Sequence, residues 1–235
     1  IRGTPADLYV LPELFNTGYN FTTPEEVDHV AEKSDGATFR AMAGLAQRNS
    51  CYIAYGFAER ADHMYNSAAL VGPSGLLGIY RKVHPFDREN LFFKPGNLGF
   101  PVFDLPFGKV GLMICFDWMY PEAARSLALK GAHLIAHPSN LVLPFCPDGM
   151  VTRCLENKVF AATADRVGRE KRGEVDIQFI GTSEIVSPGG EILARLGREQ
   201  EGIAVVEIDL KDAEKKKINQ FNDLLAGRRT DQYNI

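Results

Sequence analysis

The chain has 235 residues, enough to bury a large core, and its 45% apolar and 24% charged residues are ordinary for a soluble globular protein. Its formal net charge is -4 and its only basic block is three lysines at 215–217, which argues against a nucleic-acid partner. No apolar run approaches the roughly 20 residues that a membrane-spanning helix needs, so we expect no membrane partner either.

Short apolar runs alternate with helical patterns along the chain. The runs predict strands at 7–11, 51–59, 66–72, 76–82, 109–116, 133–139, 160–168, 179–188, 191–197 and 202–210. Amphipathic or charged patterns predict helices at 37–50, 121–132, 149–160 and 211–218. Strands outnumber helices but helices recur between them, which favours a layered α/β sandwich over an all-β fold or a strictly alternating parallel barrel.

The four cysteines form no CxxC pair, and a chain of this size does not need disulfides to hold its core. We therefore predict a reducing, cytoplasmic location. The absence of a linker or repeat predicts one domain over residues 1–235.

Three potentially reactive side chains lie at or just after the ends of predicted strands. Cys115 is near the end of 109–116, Glu13 follows 7–11 through a proline, and Lys82 ends 76–82. A thiol nucleophile, a carboxylate base and an ammonium group beside the oxyanion are what acyl transfer requires. Each residue alone is equally compatible with an ordinary role, as a buried cysteine, a surface glutamate or a solvated lysine. Spacing does not show that the three meet.

A metal site is a weaker hypothesis. The histidines are scattered, and only His133 and His137 lie close together in the sequence, four apart on one predicted strand. That spacing puts them on one face of the strand but about 13 Å apart, too far to bind one ion. We predict neither a metal nor an organic cofactor.

Several segments, taken in order along the chain, resemble the nitrilase superfamily of carbon–nitrogen hydrolases. They are LPELFNTGYNF at 11–21, YRKVHPFDREN at 80–90, VGLMICFDWMYPEAARSLALKGAHLIAHPSN at 110–140, LENKVFAATADRVG at 155–168 and QFNDLLAGRRTDQY at 220–233. The resemblance implies a four-layer α-β-β-α sandwich. The family pattern usually begins with a further strand and a long helix, which we expect to be missing from this sequence rather than from the protein.

Carried over residue by residue, the family's catalytic glutamate, lysine and cysteine fall on Glu13, Lys82 and Cys115, and a second glutamate falls on Glu89. The resemblance implies that Glu13 is the general base, that Cys115 forms a thioester, and that Lys82 and the backbone N–H of Phe116 bind the oxyanion. Two further residues are predicted near the substrate: Asn140 and Trp118.

The implied substrate is a small non-peptide amide, cleaved to a carboxylic acid and ammonia. A true nitrilase acting on small aliphatic nitriles is the first alternative, and an N-carbamoyl amine hydrolase is the second. Many family nitrilases carry Trp-Glu after the cysteine, whereas this chain has Phe116 and Asp117, which favours amides. A scaffold without catalysis is the alternative from another class. The resemblance also implies a homodimer or a higher homo-oligomer.

Overall fold

The first β-sheet of the protein has four strands, in the spatial order β1-β2-β3-β4. The computed structural model describes residues 3–233. The strands of this sheet are β1 (Leu8–Val10), β2 (Tyr52–Arg60), β3 (Met64–Gly72) and β4 (Gly75–Arg81). β1 pairs with β2 in parallel, and the other two pairs are antiparallel.

The second sheet has six strands, in the order β12-β11-β8-β7-β6-β5. Its strands are β5 (Val102–Leu105), β6 (Gly108–Leu112), β7 (Leu134–Pro138), β8 (Phe160–Ala164), β11 (Glu184–Val186) and β12 (Ile192–Arg195). The central strands β6, β7 and β8 run parallel and the outer ones antiparallel. A separate hairpin joins β9 (Arg169–Arg172) to β10 (Val175–Gln178).

Helices lie on both sides of the two sheets. They are α1 (Pro24–Val30), α2 (Ala37–Asn49), α3 (Pro121–Leu129) and α4 (Cys146–Asn157). Alternate residues of β2 explain the layering, because successive side chains of a strand point to opposite faces. Ile53, Tyr55 and Phe57 pack with the α2 side of the first sheet, whereas Ala54 joins the core shared with the second sheet. α3 and α4 contribute to that second core, which gives the predicted α-β-β-α order.

Two predictions near the C-terminus are wrong. Residues 202–210 form no strand, and within the described part of the chain residues 202–208 make no backbone hydrogen bond to a neighbouring strand. An alternating apolar pattern is not enough, because a strand exists only when another strand pairs with it. The helix predicted at 211–218 is a short 3₁₀ helix, Leu210–Glu214, followed by turns.

The strand predicted at 109–116 is also shorter than expected, and this matters for the site. β6 ends at Leu112, and a 3₁₀ helix, Cys115–Met119, begins at the cysteine itself. The predicted strands 160–168, 179–188 and 191–197 are likewise shorter in the structure, where they are β8 (Phe160–Ala164), β11 (Glu184–Val186) and β12 (Ile192–Arg195). The sequence did not predict helix α1 or the hairpin β9–β10.

No helix among residues 3–233 combines the length and the apolar character that crossing a membrane would require.

Candidate active site

Glu13 is completely buried at the turn that follows β1. The chain there continues along β2, because Leu11 N–H donates to Ala54 O at 2.8 Å and Gly56 N–H donates to Pro12 O at 3.2 Å. A Cβ atom at Gly56 would lie 2.5 Å from Glu13 Cα, so only glycine allows this approach. Leu14 then turns the chain away with a φ of 46°, in the left-handed region.

Lys82 lies just beyond the end of β4, and its ammonium group bridges two carboxylates. Its Nζ is 2.7 Å from Glu13 Oε1 and 2.7 Å from Glu89 Oε1, with the lysine and Glu13 side chains fully buried. Glu89 comes from the 3₁₀ helix Asp87–Leu91, seven residues after the lysine. Burial alone would lower the pKa of Lys82, but the charges of Glu13 and Glu89 outweigh it and raise that pKa. The ammonium therefore stays charged.

Cys115 is buried at the sharp turn that follows β6. Its φ is 41°, a backbone conformation that costs a non-glycine residue energy and that often marks functional sites. Burial raises the pKa of the Cys115 thiol well above its ordinary value, and the negative charge of Glu13 adds to this effect while Lys82 opposes it. Glu13 and Lys82 therefore lie within electrostatic range of the sulfur. The thiol is protonated at rest.

Asn140 connects the cysteine and the glutamate from the loop after β7. Its side-chain Nδ2 donates to Glu13 O at 2.9 Å, and its backbone lies on the cysteine side of the cluster, where it lowers the pKa of the Cys115 thiol. Asn140 is thus packed beside the cluster, and its contact with a substrate stays a prediction.

Phe116 and Trp118 follow the cysteine but face different surroundings. The ring of Phe116 lies 4.9 Å from that of Phe86, which lines a nearby cavity, and the Phe116 N–H has no acceptor in the described residues. The indole of Trp118 belongs to the core and packs so closely on α4 that a Cβ at Gly149 would be 2.5 Å from it. Contact between Trp118 and a substrate stays a prediction.

Asp117 holds the cysteine turn against the segment that carries Lys82. Its buried carboxylate accepts hydrogen bonds from Tyr80 Oη at 2.6 Å, Ile114 N at 2.9 Å and His84 N at 3.2 Å, and lies 2.7 Å from His84 Nδ1. Tyr80 and His84 flank the lysine in the sequence. One carboxylate therefore fixes both the residue before the thiol and the residues around the ammonium group.

No sequence pattern singled out two further residues that contact the carboxylates. Asn66 Nδ2 donates to Glu13 Oε1 at 2.6 Å and to Glu89 Oε2 at 3.1 Å. Tyr19 Oη donates to Glu89 Oε1 at 2.6 Å, and burial together with the charge of Glu89 raises the pKa of this phenol. The signal for Asn66 was a polar residue inside an apolar strand pattern, whereas Tyr19 gave none.

A cavity of about 370 Å³ opens beside Glu89. Its walls include Tyr19, Phe86, Phe92 and Val142, together with the hairpin residues 175–178. Within residues 3–233, no group of three or more His, Cys, Asp or Glu side chains is arranged to hold a metal ion.

Comparison with known proteins identifies the family of this chain. Residues 1–218 match the family described as Carbon-nitrogen hydrolase. The chain belongs to the carbon–nitrogen hydrolase family. It is 54% identical over 230 residues to a protein named nitrilase from Pyrococcus abyssi, covering 97% of this chain and 86% of that protein.

Solved structures of this family have the same fold. A carbon–nitrogen hydrolase from Helicobacter pylori G27 superposes with a TM-score of 0.87 at 30% identity, over 97% of this chain and 85% of that one. A variant of an amidase from Nesterenkonia sp. AN1 shows acrylamide added to its active-site cysteine, and it superposes with a TM-score of 0.78 at 26% identity, covering 96% and 84% of the two chains. The four-layer sandwich and the membership of the nitrilase superfamily are confirmed. This protein is a hydrolase of carbon–nitrogen bonds other than peptide bonds.

Proposed function

We propose that this carbon–nitrogen hydrolase cleaves small aliphatic amides to carboxylic acid and ammonia through a thioester on Cys115. The observation that carries the proposal is the buried cluster in which one ammonium group, Lys82, bridges the carboxylates of Glu13 and Glu89 at 2.7 Å each, within electrostatic reach of the thiol. A nucleophile, a base and a positive charge therefore share one small site.

In the first step, the Cys115 sulfur attacks the substrate carbonyl carbon while its proton passes to Glu13. The second carboxylate oxygen of Glu13, Oε2, supports this role because it is buried and no group in residues 3–233 donates to it. The raised pKa of the thiol favours proton transfer during the attack rather than before it. The carbonyl π electrons move to oxygen, which Lys82 Nζ and the unpaired Phe116 N–H stabilise.

In the second step, the carbon–nitrogen bond breaks and Glu13 gives its proton to the departing nitrogen, which leaves as ammonia. Cys115 then carries the acyl group as a thioester. A water molecule enters, Glu13 removes its proton, and the resulting tetrahedral intermediate collapses to the carboxylic acid while the proton returns to the sulfur. The cycle needs no redox partner, because no atom changes oxidation state.

The nitrile alternative is supported by a specific observation, the name nitrilase of the Pyrococcus abyssi relative at 54% identity. Phe116 and Asp117, in place of the Trp-Glu pair common in family nitrilases, support amides instead. The cavity of about 370 Å³ adjoins the cluster through Tyr19 and Glu89, and its volume is compatible with a small substrate of either kind. N-carbamoyl amines remain the third candidate. An ammonia-release panel of matched propionamide, propionitrile and N-carbamoyl propylamine ranks the three.

The assembly is proposed to be a homodimer. Several large apolar side chains are exposed around the 3₁₀ helix that begins at Cys115, on α3 and α4, and in the C-terminal segment: Met119, Tyr120, Leu129, Leu155 and Phe221. Apolar side chains that form a contiguous exposed patch often mark a surface that a partner subunit covers. Light scattering at micromolar concentration should give at least twice the chain mass of 26.0 kDa. A single-chain mass would contradict the dimer.

Replacement of the nucleophile tests the chemistry. Cys115→Ala should lower ammonia release by about 10⁴-fold or more, because a nucleophile is removed outright. The matched control is Cys51→Ala, which removes another buried cysteine from the separate core cluster on the α2 side. The control should keep wild-type turnover per folded molecule. Mass spectrometry of enzyme quenched during turnover should find an acyl adduct on Cys115, and its absence in active enzyme would contradict the thioester.

A further inference from the structure

His137 is a completely buried side chain of β7 that directly contacts the backbone of Cys115. Its Nε2 lies 2.9 Å from Cys115 O, and its Nδ1 lies 3.0 Å from Thr163 Oγ1 on the neighbouring strand β8. Ser139 Oγ is 3.2 Å from the same Nε2 and donates to His137 O at 3.3 Å. The mechanism above does not use this histidine.

The contacts determine where the imidazole carries its proton. A carbonyl oxygen can only accept, so at 2.9 Å from Cys115 O the Nε2 atom must be the donor. Burial lowers the pKa of His137 to about 4, so the ring is neutral near pH 7 and has only one N–H. Nδ1 is then the acceptor, and the Thr163 hydroxyl donates to it. Thr163 thus selects the tautomer that can donate to Cys115.

The carbonyl of Cys115 and the N–H of Phe116 belong to one peptide group. This group is planar and trans, so its C=O and N–H point in opposite directions and turn together. Fixing Cys115 O therefore also fixes the direction of the Phe116 N–H. The left-handed φ of 41° at Cys115 is a conformation that an unrestrained chain would leave, so the peptide plane needs such a restraint.

We infer that His137 is a positioning residue, which orients the Phe116 N–H as an oxyanion donor by holding the carbonyl of Cys115. The inference rests on the proposed function, in which that N–H binds the oxyanion. His137 does not act as a base for the thiol, because its only ring lone pair, on Nδ1, accepts from Thr163 on the side away from Cys115 O.

The test compares two reactions of Cys115, of which only one develops an oxyanion. p-Nitrophenyl acetate acylates the sulfur through a tetrahedral intermediate and releases p-nitrophenolate. Methyl methanethiosulfonate converts the same sulfur to a mixed methyl disulfide and releases methanesulfinate, without any carbonyl addition. Stopped-flow absorbance and mass spectrometry of the Cys115 peptide give the two rate constants, with Cys115→Ala as the blank.

His137→Leu should slow acylation by about 10- to 100-fold, because one of two oxyanion donors loses its orientation. Its reaction with methyl methanethiosulfonate should stay close to the wild-type rate. His137→Gln, whose amide N–H₂ can reach Cys115 O, should recover most of the acylation rate. Thr163→Val leaves the imidazole intact but removes the hydroxyl that keeps its proton on Nε2. It should therefore reduce the acylation rate less than His137→Leu does.

An equal fall in both rates in His137→Leu would overturn the inference, since the histidine would then support the thiol or the fold in general. Unchanged acylation would overturn it as well. Thermal melting of each variant, together with the rate of His137→Gln, distinguishes a loss of orientation from a folding defect. Two other outcomes would instead contradict the proposed function itself. One is a wild-type enzyme whose Cys115 reacts with neither reagent, and the other is a Cys115→Ala variant that still releases ammonia.

Discussion

Two consecutive cations, Arg81 and Lys82, form ion pairs in two separate buried clusters, which differ in how completely their carboxylates are paired. The Arg81 guanidinium donates two hydrogen bonds of 2.8 Å to the oxygens of Glu59 and lies 4.0 Å from the centre of the Tyr65 ring. Ser67 Oγ completes that cluster by donating to Glu59 at 2.7 Å. Both Glu59 oxygens therefore have partners, and the planar guanidinium matches the carboxylate in shape.

The Lys82 cluster is more deeply buried and less completely paired. One ammonium group serves two carboxylates, and Glu13 Oε2 receives no donor from the described residues. A buried carboxylate oxygen without a donor is costly for stability, and natural proteins retain such groups mainly where they act. We therefore expect the first cluster to stabilise the fold and the second to keep one acceptor open for a proton.

Among the changes that separate the two clusters, Glu13→Gln has the largest expected effect. The amide keeps an oxygen for Lys82 and Asn66 but cannot accept the thiol proton, so kcat/KM should fall by about 10³-fold. Stability should change little, which urea unfolding can measure. Glu59→Gln is the matched control and should show the opposite pattern, with lower stability and unchanged turnover. Appreciable catalysis by Glu13→Gln would remove the distinction between the two clusters.

A medium effect, on stability alone, is expected for Arg81→Met. Glu59 would stay buried without its cation, so the free energy of unfolding should fall by about 2–4 kcal/mol. Turnover per folded molecule should stay within a few-fold of wild type, because Arg81 contacts none of the reacting groups. Adding Glu59→Leu should restore part of the lost stability, since no buried charge would then be unpaired. A large fall in kcat would show that the clusters are coupled.

The smallest effect concerns Asp165, a buried carboxylate that makes no ion pair in residues 3–233. Burial raises its pKa from 3.8 to about 8. Between those values the folded state holds a proton that the unfolded state has lost, so its contribution to stability declines as the pH rises from about 4 to 8. Asp165→Asn does not titrate. Its stability relative to wild type should therefore grow by about 1–3 kcal/mol between pH 5 and pH 8.5, measured by urea unfolding. A constant difference would contradict the raised pKa.

The sequence patterns predicted the class of fold and the positions of Glu13, Lys82 and Cys115 near strand ends, because alternation and turn residues are local signals. Local patterns could not predict that these three residues lie in one region of the fold. In the structure they follow the strands β1, β4 and β6, whose ends lie near one another. Tyr19 escaped prediction because its position depends on Glu170, which accepts from its backbone N–H at 3.0 Å across 151 residues of sequence. The roles of all the site residues stay predictions until the variants are measured.

The strand predicted at 202–210 failed for a related reason. Apolar and polar residues do alternate there, but a strand forms only when a second segment pairs with it. The pattern of one segment does not predict whether such a partner exists. His137 illustrates the same limit within the site. The sequence suggested for it only a weak metal-site hypothesis, whereas its contact with Cys115 O appears only when β7 is placed beside β6.

The glycine opposite Glu13 limits how this enzyme can be re-engineered. Because any side chain at position 56 would collide with Glu13 Cα, saturation mutagenesis there should yield only glycine among active clones. The hairpin residues 175–178 instead line the cavity beside Glu89. Libraries that seek new substrates should therefore vary the hairpin and leave the first sheet untouched.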